Sequence, residues 1–160
     1  MNLRLDRVTR MLALGFKKLY SLVLDDKGLY VIRTGNVGAL MELGVPIPNP
    51  TKPGSVAGTA LGMAAAGKII GAFGKELLAG EERLSNTTLD QLAKEKDNAF
   101  VSLAEIQSVT SKATKTPDPL PAGPATEMKL KTAKGDFTFI FTHNPPDQVQ
   151  ALEQALSKRR

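Results

Sequence analysis

The sequence predicts an α+β fold: a bent antiparallel sheet capped by a C-terminal helix, with a helical insertion after the first hairpin. Three observations carry this. The ten prolines fall in three clusters, at 46–53, 117–124 and 145–146. Proline lacks a donor and fixes φ, so such clusters mark connections and not ladders or helix interiors. β-branched and aromatic runs precede the first cluster, period-2 hydrophobic runs follow the second, and a period-3.6 run follows the third. A single domain spanning residues 1–160 is expected, because a hydrophobic content of 42% supports one core at this length.

The first hairpin is read from residues 19–24 and 29–34, two β-branched and aromatic runs joined by Asp25, Asp26, Lys27 and Gly28. Before it, Leu5, Val8 and Leu12 recur at i, i+3 and i+7 with arginines between them, the spacing of a short amphipathic basic helix. Packing of its apolar stripe on the sheet is the expected use, with a membrane surface as the alternative. Arg4, Asp6, Arg7 and Arg10 interrupt any secretory signal, so a cytoplasmic location is expected, with the inner face of the membrane as the alternative.

Residues 35–98 read as an insertion: a Pro-rich loop, a Gly/Ala-rich helix over 54–80 and a second, polar helix over 88–97. Seven of the fourteen glycines fall within 54–80. Gly54, Gly58 and Gly62 repeat every fourth residue, and Gly67 and Gly71 bracket another such step. A glycine in a helix costs about 0.5–1 kcal/mol relative to alanine, so this face is a candidate interaction surface where another backbone approaches closely. Entry of 54–80 into a bilayer is the alternative. However, the uncharged run from Ser55 to Gly67 falls short of the roughly 20 residues that a span needs. The residues at 81–83 and 85–88 are expected to end the helix.

From Ala99 onward the pattern sharpens. Residues 99–112, Ala-Phe-Val-Ser-Leu-Ala-Glu-Ile-Gln-Ser-Val-Thr-Ser-Lys, give a strand, a short polar turn from Leu103 and a second strand from near Ile106. Met128 and Leu130 alternate with Lys129 and Lys131, and Lys134, Gly135 and Asp136 make a turn. Phe137, Phe139 and Phe141 then share one face, with Thr138, Ile140 and Thr142 on the other. Asn144 is placed to cap a helix, Pro145 suits its first turn, and Asp147 suits its positive end. Val149, Leu152 and Leu156 supply its apolar stripe.

This succession of strand, turn, aromatic strand and capping helix resembles bacterial pleckstrin-homology-like and GRAM-like domains. The resemblance covers the first hairpin and everything from Ala99 onward, and it implies a barrel-like bent sheet. Residues 35–98 depart from it. In lipid-binding members of such families, basic residues on the first two strands grip phosphates. Lys17, Lys18 and Arg33 match those positions and are candidate anionic-lipid contacts, although Asp25 and Asp26 in the intervening turn would repel a head group.

The chemistry the composition permits is narrow. There are no cysteines and one histidine, His143, so a metal site would need several carboxylates. The glycines at 54–62 lack the preceding strand and the Lys-Ser/Thr ending of a phosphate-binding loop. Basic residues lack the interleaved aromatics of a nucleic-acid surface. Net charge is +5, and its excess lies in residues 1–53, with 8 Lys/Arg against 4 Asp/Glu. The expectation is a non-enzymatic binding or scaffolding module with no cofactor and no small-molecule substrate. It would contact a protein partner or a second copy through the insertion or a sheet edge, with membrane association through 54–80 as the alternative.

Overall fold

The computed structural model describes residues 3–11, 17–36, 60–116 and 123–158. The strands are β1 (Leu3–Met11), β2 (Lys17–Leu24), β3 (Gly28–Asn36), β4 (Ala99–Ser102), β5 (Ile106–Lys115), β6 (Pro124–Thr132) and β7 (Gly135–Phe141). The helices are α1 (Ala60–Asn86), α2 (Leu89–Leu92) and α3 (Pro146–Lys158), with a 3₁₀ turn over Leu103–Glu105. The strands form one antiparallel sheet in the order β4-β3-β2-β1-β7-β6-β5. Strands β4 and β5 are its two edges, yet only three residues separate them in sequence. The sheet must therefore bend to bring its edges together. The two edges are not hydrogen-bonded to each other, so the expected barrel is not closed.

The first strand corrects the expectation of a basic helix. Leu5 and Val8 are both buried in the main core, but a bulge shifts the register between them and Arg7 sits at φ 58°. An extra residue in a strand places i and i+3 on the same face, which imitates the helical spacing. Leu12, the third member of that stripe, lies outside the described residues.

Hairpin β2–β3 forms where the sequence places it. The Asp25 carboxylate accepts from the backbone N–H groups of Lys27 (2.8 Å) and Gly28 (3.0 Å), which makes the acidic turn an Asx turn. Gly28 then runs so close to β4 that a Cβ there would lie 2.3 Å from the Val101 carbonyl oxygen.

Between the two halves of the bent sheet lies one hydrophobic core. Leu22, Leu24, Leu29 and Val31 meet Met128, Leu130, Phe139 and Phe141, and α3 closes it with Val149, Leu152 and Leu156. Full burial of each such side chain stabilises by about 1.5–3 kcal/mol. The phenylalanine alternation of β7 holds, with Phe137 and Phe139 stacked at 5.9 Å. Its other face is not open throughout, since Ile140 is buried as well.

Helix α3 begins differently from the expectation. Asn144 does not cap it: its Nδ2 donates to the Asp6 carbonyl (3.0 Å) and ties the β7–α3 corner to β1. The Pro145 carbonyl instead accepts from Gln148 and Val149. Asp147 in the first turn complements the helix dipole as expected, and Lys158 in the last turn complements its other end.

Candidate functional site

The insertion folds back onto the outer face of the sheet. Helix α1 continues through residues 81–83, whose polar side chains find partners, and ends at Asn86, within the 85–88 stretch expected to stop it. Glu81 pairs with Arg7 at 3.1 Å, and Arg83 pairs with Glu95. The expected second helix shrinks to the single turn α2. Asn98 explains this: its Nδ2 donates to the carbonyl of Leu92 at 2.7 Å, and the preceding Asp97 turns the chain at φ 73°. The Asn98 Oδ1 also accepts from the backbone N–H of Arg33 at 2.7 Å, just beyond the last residue of β3 that pairs with β4. One side chain therefore ends α2 and extends the ladder.

A second, smaller core holds α1 and α2 to the sheet: Tyr30, Ile32 and Leu92, with Leu84, Leu89, Val23 and Phe100 packed against them. The Tyr30 ring packs tilted against Phe100, with centroids 4.7 Å apart, and its hydroxyl donates to Asp90 at 2.7 Å. Burial first, and then that hydrogen bond, raise the phenol above its ordinary pKa. The same bond, followed by Lys27, holds the Asp90 carboxyl below its own.

Helix α1 touches the sheet through one face, formed by Leu77, Gly80, Glu81 and Leu84. Its other face carries Gly71, Lys75, Leu78 and Glu82, all exposed. Leu78, at 62% exposure, is the one large apolar side chain so exposed among the described residues.

The glycine face splits. Gly54 and Gly58 lie outside the described residues, and Gly62 and Gly67 are on the α1 backbone in a stretch whose surroundings are not described. Gly71 faces open space, with nothing within 4 Å of its Cβ position. The close approach is made instead by Gly80, which the every-fourth-residue pattern does not reach.

The candidate lipid contacts converge on a protein carboxylate. Lys18 and Arg33 both pair with Asp97, at 2.9 and 3.0 Å. Lys18 first, and then Arg33, draw the Asp97 carboxyl below its ordinary pKa against the opposing effect of burial. The side chain of Lys17 lies outside the described residues, and His143 is exposed.

Beside these pairs, α1 and the end of β3 enclose a polar cleft of about 300 Å³ lined by Arg33, Thr34, Glu76, Arg83, Glu95 and Lys96 among others. Sequence reading missed it because Arg83 and Glu95 come together only when α2 reverses the chain. Among the described residues, no cluster of His, Cys, Asp and Glu could hold a metal ion, and no helix is long and apolar enough to cross a membrane. No protein-family model, curated protein or solved structure matches this chain.

Proposed function

We propose that the chain is a non-enzymatic binding or scaffolding module of pleckstrin-homology-like architecture, which contacts a protein partner or a second copy through its helical insertion. Three features support the architecture: the strand order, the three-residue link between the two sheet edges, and the helix that closes the core. The interaction reading rests on a single observation. Helix α1 is anchored along one face, and Leu78 lies on the face it leaves exposed to solvent. In the proposed contact Leu78 would be the apolar anchor, with Lys75 and Glu82 at its polar rim.

Chemical crosslinking in cells that express the intact chain or Leu78→Asp tests this. Discrete higher-mass adducts are expected from the intact chain and reduced adducts from the variant, at equal thermal stability. Adducts that are absent, or untouched by Leu78→Asp, would contradict the reading. The alternative, in which residues 54–80 and the basic N-terminus contact a bilayer, is read by co-sedimentation with anionic vesicles. The engagement of Lys18 and Arg33 with Asp97 weighs against it.

A further inference from the structure

We propose that the cleft between α1 and the end of β3 receives a carboxylate group, which takes the place of Glu95 on Arg83. Its volume of about 300 Å³ lies at the lower end of ligand-binding pockets, roughly 300–1,000 Å³, which suits a small group and not a large cofactor. The lining holds three cations, Arg33, Arg83 and Lys96, against two carboxylates, Glu76 and Glu95. Asp97, which pairs with Arg33, is also offset by Lys18. One positive charge is left over. That balance fits a monoanion, whereas a phosphate dianion would leave excess negative charge beside two carboxylates.

Arg83 already holds a carboxylate, through one nitrogen only. Its Nη2 donates to both oxygens of Glu95, at 2.5 and 2.6 Å. Glu95 therefore does not fill the two-nitrogen fork with which a guanidinium pairs most strongly with a planar carboxylate. Both partners of the pair are about half exposed, at 54% and 44%. Such a pair contributes no more than about 1 kcal/mol, so an incoming carboxylate exchanges with Glu95 at little cost. Lys96 has no ion-pair partner among the described residues and borders the same space. Glu95 is thus an internal stand-in for the ligand. The inference does not depend on the exposed face of α1 being a contact surface.

The carboxylate could belong to a free small acid or to an acidic segment of a partner, and the probes separate these. The full chain is titrated with propionate, with an acetylated and amidated glycine-rich peptide that carries a single glutamate and with inorganic phosphate, and its backbone amide resonances are followed. Saturable shifts centred on Arg33, Arg83 and Lys96 are expected with a carboxylate probe, with phosphate weaker. A response to propionate assigns the site to small acids, and a response to the peptide alone assigns it to a partner's acidic segment. Glu95→Gln should tighten binding roughly two- to fivefold, the factor set by the worth of an exposed ion pair. Arg83→Gln should abolish the saturable shifts while leaving the rest of the spectrum in place. The proposal is overturned if neither carboxylate probe produces saturable shifts there, if Arg83→Gln binds unchanged, or if phosphate binds more tightly.

Discussion

Gly80 of α1 passes the carbonyl of Thr34 so closely that a Cβ at position 80 would lie 2.2 Å from the oxygen. Alanine favours helices over glycine by about 1 kcal/mol, but here backbone blocks the methyl, and the helix would have to lift from β3. Gly80→Ala is expected to destabilise by about 1–3 kcal/mol, the usual cost of overpacking. At Gly71, where the Cβ position is open, the same change should stabilise by about 0.5–1 kcal/mol. Urea unfolding of the two variants against the parent chain checks both signs.

Asn98 satisfies two backbone groups from different elements, the N–H of Arg33 and the carbonyl of Leu92. Asn98→Ala leaves both without their partner and is expected to cost about 1–3 kcal/mol. Amide exchange should rise in α2 and at Arg33 and remain unchanged in β6 and β7.

Acid should loosen the insertion. The Asp97 carboxyl is held below its ordinary value of 3.8, mainly by the hydrogen bond from Lys18. A depressed carboxylate contributes stability that is fully present above the unfolded value and is lost as pH falls through the folded one. Unfolding midpoints measured between pH 6 and pH 2 should therefore fall on acidification. Asp97→Asn should start lower at pH 6 and lose less over that range. The Glu105 carboxyl, lowered first by Lys134 and then by the Ser102 N–H, adds to the same acid limb.

Phe139 has no exposed surface and sits in the main core beside Met128 and Leu130. Phe139→Ala is expected to cost about 3–5 kcal/mol, a large share of the roughly 5–15 kcal/mol that holds a domain of this size together. Calorimetry should show the melting transition lowered by many degrees or lost.

The parts of the fold legible in the sequence are those whose signal is local. Asp25 and Gly28 mark the β2–β3 turn, Phe137, Phe139 and Phe141 mark β7, and the Val149, Leu152 and Leu156 stripe marks α3. The misreadings arise where one geometry imitates another or where a distant partner decides. The bulge at Arg7 gave Leu5 and Val8 a helical spacing within a strand. Asn144 had the sequence of a cap, but the carbonyl of Asp6, far away in the chain, claimed its side chain. The cleft was invisible for the same reason. Arg33, Arg83 and Glu95 come from separate elements, and only the docking of α1 through Gly80 and Leu84 brings them together. A four-residue glycine repeat reports which helix face is small, not which face is used. The described half of α1 uses Gly80 and leaves Gly71 bare.

The central claim is that the exposed face of α1 is the contact surface, and site-specific photo-crosslinking tests it most directly. A benzophenone amino acid is placed in turn at Leu78 on α1, at Lys112 on the β5 edge and at Gln154 on α3, all exposed, in the full chain within living cells. A discrete covalent adduct from position 78, absent from the other two, is the predicted result. An adduct from position 112 or 154 with none from 78 would contradict the account.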